Sequence, residues 1–324
     1  MKKSTLIASL VGIVVSSLTL IANPQSFPNR PVKIIVPYAP GGADIQIRGI
    51  VPFLSEALGQ PVVIETRDGG GTVVGTLAVK NAPADGHTLL FTNTTAFAIL
   101  QLGKKTTRFA ADDFISIGNV TGTPLVLAVN AEATYKTLPE FLSYAKANPG
   151  KINMGTAGIG TSTHMVGEAF QATADVKLTH VPFKGVSGAL QGILGGFSDV
   201  VFALPGAVAP QVHAGKIRVI ATLDKKRSAF FPNSPTALEL GINSVELSRF
   251  GVFAPKGIPV ATQQKLVEAL KSATENTDYR AAMAKSYTDA LYLNPNDLNA
   301  AVLGETKYWG ALLQTPRLAE VLEK

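Results

Sequence analysis

The chain reads as an α/β protein with mainly parallel sheets, divided into two domains around a hinged cleft. Three observations predict this. Short apolar runs alternate with helical stretches from residue 32 to residue 313. Many of those runs are near-continuously apolar, which suits parallel strands buried on both faces. Finally, two glycine-rich turns stand where a strand hands over to a helix, VPYAPGGAD at residues 36–44 and NMGTAGIGTSTH at residues 153–164.

The elements follow in order. The apolar run Val32–Val36 is the first strand, and the first turn then leads into a helical pattern over 45–58 that carries Leu54 and Leu58. Further strands are predicted over 62–65, 88–92, 125–129, 152–154, 178–181, 200–202, 217–222 and 251–253, and further helices over 73–80, 138–147, 163–173, 188–194, 260–272 and 295–313. Thr137 and Glu140 form a capping box ahead of Phe141 and Leu142, and Asn148-Pro149-Gly150 stops that helix. Asn294 followed by Pro295 opens the last helix, with proline at its first position. No internal repeat and no low-complexity linker interrupts the chain. The domains are therefore expected to be joined by strands crossing at 125–130 and 217–223. That places domain 1 at 27–126 with a return segment at 221–324, and domain 2 at 127–220.

At 324 residues, 46% hydrophobic and only 16% charged, the chain can bury a large core and is no disordered segment. The net charge of +6 comes from basic residues spread singly, without aromatic interleaving, which argues against a nucleic-acid partner. Lys2 and Lys3 precede an apolar stretch at 6–21 that ends in small residues near Ala22, the pattern of a secretory signal over 1–26. The absence of cysteine excludes disulfides, thiolate metal sites and a lipid-modified cysteine anchor. Secretion without cysteine fits a bacterial periplasm.

Catalytic signatures are missing. There is no Gly-x-Ser-x-Gly elbow and no Walker loop, and Gly69–Gly71 lacks dinucleotide-fold spacing and reads as a flexible turn. The histidines His87, His164, His180 and His213 show no ligand spacing, so neither metal nor cofactor is expected. The two glycine-rich turns carry the chemistry instead. Backbone N–H groups left unpaired at the positive end of a helix bind anions without a charged side chain. Two such turns in separate halves suggest an acid gripped from both sides. Asp44 reads as the N-cap of the first helix. His164 either bonds to local backbone or touches the ligand.

Here the chain resembles the Bug family, the substrate-binding proteins of tripartite tricarboxylate transporters. The markers are VPYAPGGAD, ETRDGGGTVVG at 65–75, APADGHTLLF at 82–91, ANPGKINMGTAGIGTSTHMVGE at 147–168 and HVPFKGVSGALQGILGGFSDVVF at 180–202, then AGKIRVIATLDKKRS at 214–228 and GVFAPKGIP at 251–259. The match runs over essentially all residues after the signal. It implies a two-domain periplasmic binding protein that closes on an organic acid and passes it to membrane permease subunits, and it implies no enzyme activity. Carried over by position, Tyr38, Ala39, Gly41 and Gly42 would form one lip of the cleft. Thr156, Ala157, Gly160, Thr161, Ser162 and His164 would form the other. Phe183, Lys184, Gly185 and Thr94 would line the side.

Three departures from the family pattern stand out. Only Ala43 separates Gly42 from Asp44, Asp68 replaces a usual proline, and Ala203-Leu204 replaces a frequent Asp-Asn where side chains face the cleft. With Ala203 there and Tyr38, Phe183 and Phe202 as wall, the expected ligand is an acid without an amino group, either a dicarboxylate or an aromatic carboxylate. A monomer is expected. The alternatives are a ligand-sensing periplasmic receptor and a secreted α/β hydrolase or transferase.

Overall fold

A computed structural model describes residues 27–40, 42–102, 109–244 and 246–314; the expected signal at 1–26 lies outside the described residues. The chain begins with β1 (Val32–Val36), α1 (Gly42–Leu58), β2 (Val62–Thr66), α2 (Val73–Lys80), β3 (Thr88–Asn93), α3 (Thr94–Leu102) and β4 (Phe114–Pro124). It continues through β5 (Val126–Asn130), α4 (Leu138–Ala147), β6 (Asn153–Thr156), α5 (Ser162–Ala174), β7 (Thr179–Pro182), α6 (Gly185–Leu194), β8 (Val200–Ala203), α7 (Pro205–His213) and β9 (Ile217–Thr222). It returns as β10 (Leu247–Pro255), α8 (Val260–Glu275), α9 (Thr277–Lys285), β11 (Ala290–Leu293) and α10 (Pro295–Leu312). The strands form two sheets, ordered β11-β4-β10-β3-β1-β2 and β7-β6-β8-β5-β9.

The α/β class is as the sequence predicts, but the expectation of mainly parallel sheets needs correction. β1 runs parallel to β2 and β3, and β6 runs parallel to β7 and β8. β10 is antiparallel to β3 and β4, β11 to β4, and β5 to β8 and β9. The reason is connectivity. Strands joined through a helix keep one direction, as parallel pairing requires. β5 and β10 reach their sheets from the other sheet, not through a strand–helix–strand crossover within their own.

Each sheet buries its own core. Ile34, Ile47, Phe91 and Phe250 pack between the first sheet and α1 and α8. Met154, Phe141, Phe170 and Phe202 pack under the second sheet and are joined there by Trp309 of α10. Burying each such side chain contributes about 1.5–3 kcal/mol. Gly167 on α5 lets the helix sit on β6, because a Cβ there would come within 2.3 Å of Met154 Sδ. Among the described residues no helix is long and apolar enough to cross a membrane.

Helix ends match the sequence in two places. The Thr137 side chain accepts the Glu140 N–H at 3.4 Å, while the Glu140 carboxylate reaches one residue further, to the Lys136 N–H. Asn294 Oδ1 accepts from the N–H groups of Asn296 and Asp297, with Pro295 at the first helical position. Asp44 differs. α1 already starts at Gly42, so Asp44 lies in the first turn and is not the N-cap.

Backbone hydrogen bonds tie the two sheets together where β4 runs into β5. Leu125 stands between β4 and β5; its N–H donates to the Glu246 carbonyl, and its carbonyl accepts the Leu223 N–H at 2.8 Å. The Glu246 N–H donates to the Leu223 carbonyl, also at 2.8 Å. Three strand-like passes are thus laced together at a single backbone triplet.

Candidate functional site

Loops that follow the carboxyl ends of parallel strands are where ligands bind in open α/β sheets. Here those ends are Val36 and Asn93 in the first sheet, and Thr156, Pro182 and Ala203 in the second. Helices α1, α3, α5, α6 and α7 start directly behind them and aim their N-termini at the same side of each sheet.

How these helices are capped separates them. Outside the loops, α4, α9 and α10 are capped by the side chains of Thr137, Asn276 and Asn294. α3 is capped by Asn93, whose Oδ1 accepts the Ala96 N–H at 3.0 Å. In contrast α5, α6 and α7 begin behind Thr161, Lys184 and Leu204, none of which makes a side-chain capping bond. First-turn N–H groups of a helix have no partner within it. In α5 they stay available to an anion, while α6 spends its first on the Ala157 carbonyl and α7 loses one to Pro205.

The hydroxyls of the second lip shape the loop. Thr161 Oγ1 donates to the Gly158 carbonyl at 2.7 Å and lies 3.1 Å from Thr163 Oγ1. Thr163 Oγ1 accepts the Ala157 N–H at 3.0 Å, and Thr156 Oγ1 accepts the Gly158 N–H at 3.2 Å. The Gly160 N–H donates to His164 Nδ1 at 3.1 Å, with Gly160 at φ +74° facing open space. The N–H groups of Ala157 and Gly160 are therefore spent on the loop. Ser162, half-buried, opens α5 and carries one of the free first-turn N–H groups. His164 thus bonds to local backbone through Nδ1.

His164 is buried, and its ring stacks on His180, centroids 3.8 Å apart. Burial, and then the neighbouring His180, push the His164 pKa down to about 3; burial also lowers His180. Both rings are neutral at neutral pH. His180 Nε2 lies 2.7 Å from Thr156 Oγ1, so the pair and the loop form one network. His180 escaped the sequence reading because no spacing signals it. It reaches the site only through the parallel register that sets Met154 opposite His180.

The first lip is held by its tyrosine. The Tyr38 hydroxyl accepts the Asn93 N–H at 3.0 Å and lies 3.1 Å from Thr92 Oγ1, and burial pushes its pKa up to about 12. Its ring meets Phe250 edge-on. Ala39 is exposed and Gly42 opens α1, while Gly41 lies outside the described residues. The two halves approach closely between Gly71 and Ile159, where a Cβ on Gly71 would lie 3.6 Å from the Ile159 carbonyl oxygen. The run Gly69–Gly71, with φ of +129°, +56° and +61°, is thus a shaped contact and not merely a flexible turn.

The expected side-wall residues and Ala203 are placed as follows. Thr94 is fully buried and its hydroxyl donates to Glu305 Oε1 at 3.0 Å, because α10 folds back over α3. The Phe183 ring is tucked against α6, filling the space that Gly188 and Gly192 leave. Ala203 is buried in the core beneath β8, paired with Val126. Gly185, at φ +80°, spends its N–H on the Ala157 carbonyl. Lys184 alone of that group is exposed, at the N-cap of α6. Among the described residues no three His, Asp or Glu side chains come together as a metal site.

Comparison with known proteins places this geometry. Residues 47–318 match the model of the tripartite tricarboxylate transporter family receptor. A curated relative from Cupriavidus necator, described as UPF0065 protein in gbd 5'region, is 36% identical over 291 residues, covering 89% of this chain and 88% of the relative. Among solved structures, MatC (Rpa3494) from Rhodopseudomonas palustris with bound malate superposes with a TM-score of 0.82 at 27% identity, over 89% of this chain and 100% of that one. R. palustris Rpa4515 with adipate superposes with a TM-score of 0.84 at 27% identity, over 89% and 98%.

Proposed function

The chain belongs to the tripartite tricarboxylate transporter receptor family and is a solute-binding protein of the periplasmic type, and on that premise we propose that it captures a small aliphatic dicarboxylate lacking an amino group. One observation carries the reading. Helices α3, α4, α9 and α10 are capped by side chains, while α2 and α8 lack such caps. Helix α5, behind a parallel strand of the second sheet, leaves its N-terminal donors uncapped at the second lip, and α6 beside it also has no side-chain cap. A carboxylate at these ends accepts charge-assisted hydrogen bonds without needing an arginine. A second carboxylate would be held by the first lip, at the start of α1. Malate and adipate, the acids bound by the two solved relatives, are both dicarboxylates.

The aromatic alternative loses support. Phe183 and Phe202 are both committed to packing, which leaves Tyr38 as the aromatic wall. An amino-acid ligand is disfavoured because Ala203 and Leu204, at the end of β8, offer no side-chain acceptor, and an unpaired ammonium is costly to bury.

In the proposed cycle the two lobes, 27–126 with 221–324 and 127–220, close about the crossing at Leu125, Leu223 and Glu246. The closed form then docks on membrane permease subunits of a tripartite tricarboxylate transporter. Export through the signal at 1–26 would leave a mature chain beginning between residues 22 and 27, which N-terminal sequencing of periplasmic material checks. Ligand class is tested by calorimetry with malate, adipate, benzoate and glutamate. Tight binding of malate or adipate supports the proposal, and preferential binding of glutamate sinks it.

A further inference from the structure

β7 is an edge strand of the second sheet, and His180 on it is paired with Met154 of β6. Successive residues of a strand face opposite sides, so Thr156, two along from Met154, shares the face of His180. There His180 Nε2 lies 2.7 Å from Thr156 Oγ1, while the ring lies on that of His164.

Following the hydroxyl protons gives this contact a direction. A threonine hydroxyl has a single proton to donate. That of Thr161 goes to the Gly158 carbonyl at 2.7 Å. Thr163 therefore donates to Thr161 across 3.1 Å and keeps a lone pair for the Ala157 N–H. Thr156 Oγ1 accepts the Gly158 N–H and has two places for its own proton. One is the Gly158 carbonyl, 3.5 Å away and already held by Thr161. The other is His180 Nε2 at 2.7 Å. The shorter bond takes the proton only if Nε2 is bare, which requires a neutral ring protonated on Nδ1. Burial lowers the His180 pKa and favours that neutral ring. Thr161 immediately precedes α5, so the order of this hydroxyl chain is passed directly to the first-turn N–H groups of the helix.

We propose that His180 is a positioning residue for the second lip. Through a bare Nε2 it takes the Thr156 proton, fixes the hydroxyl and backbone chain from Thr156 to Thr163, and keeps the α5 N-terminus set for a carboxylate that it does not itself touch. The role rests on the reading of α5 as the carboxylate-holding helix and adds to it a residue outside both lips.

Two measurements decide. In the ligand-free full chain, a long-range proton–nitrogen correlation spectrum should show the His180 ring protonated on Nδ1 and bare at Nε2. A proton on Nε2 would overturn the proposal. Calorimetry then uses adipate or malate, whichever the parent binds more tightly. His180→Leu, which has no acceptor, should weaken binding by at least about threefold, as should Thr156→Val, and the double variant should lose no more than either alone. His180→Gln, whose amide oxygen can stand where Nε2 stood, should bind within about twofold of the parent. Equal losses in His180→Leu and His180→Gln, or losses that add in the double variant, would make the ring a packing element only and overturn its role. A parent chain that binds neither acid would count against the dicarboxylate reading instead. The ring spectrum needs neither ligand nor variant, so it decides for or against His180 in that case and also if His180→Leu fails to fold.

Discussion

The rings of His164 and His180 lie face to face, 3.8 Å between centroids and 12° between planes. His164 Nδ1 accepts from Gly160, so its proton sits on Nε2, 3.9 Å from Glu168 Oε1. A pair packed this closely resists protonation, since a charge on one ring would be both desolvated and beside its neighbour.

The first prediction follows from the sign of that shift. The His164 pKa is lowered from 6.5 to about 3 in the folded chain. Below the unfolded value, the unfolded chain takes up a proton that the folded chain refuses. Stability from this group is therefore complete above about pH 6.5 and falls by up to about 1.4 kcal/mol per pH unit as pH drops toward 3. Replacing His164 by Asn should flatten the decline of melting temperature between about pH 6 and about pH 4. An unchanged slope would mean that other groups carry the acid sensitivity.

Glu246 predicts the opposite dependence. Burial, and then the nearby Glu305, push its carboxyl up to about 8, and its Oε1 is buried without a partner. A raised acid costs nothing below its unfolded pKa of 4.5 and removes stability as pH climbs from there to about 8. Glu246→Gln mimics the protonated form. It should be more stable than the parent by at least about 1 kcal/mol at about pH 8, with little difference at about pH 4. Thermal melts at the two pH values decide, and a variant destabilised at both would show that the carboxyl is needed ionised.

Thr161→Val tests the second lip. The hydroxyl holds the Gly158 carbonyl, and its loss should cost about 0.5–1.5 kcal/mol of stability. Because the loop then no longer presents the α5 N-terminus in place, affinity for adipate or malate should fall by about tenfold. Calorimetry paired with a melt separates the two effects. Full affinity in a folded variant would make this turn a plain helix start.

Closure gives the fourth prediction. The sheets are laced at Leu125, Leu223 and Glu246 and touch again between Gly71 and Ile159. Small-angle scattering should therefore give a smaller radius of gyration with saturating ligand than without. Superimposable curves would mean a rigid site.

Much of this was legible in the residues themselves. Val32–Val36 and the Thr137 and Asn294 caps are local features, and each behaves as its own chemistry dictates. Other elements left weaker local traces. β4 is buried almost throughout yet carries Asn119, Thr121 and Thr123, which tertiary bonds satisfy: Asn119 Nδ2 donates to Leu291, Thr121 meets Gln46 and Thr123 accepts from Asp289.

Sequence alone determined the class of fold and most of the helices behind strands, though not α3 or α7, and it marked the two glycine-rich turns proposed to hold an anion. Those depend on apolar period, glycine and proline, which act within a few residues. Tertiary structure alone decided strand direction, the stacking of His180 on His164, the burial of Ala203 and Phe183, and the diversion of the Thr94 hydroxyl to Glu305. Each of these pairs residues from different elements, and register and helix packing, which no local pattern encodes, determine which side chains remain free to face a ligand.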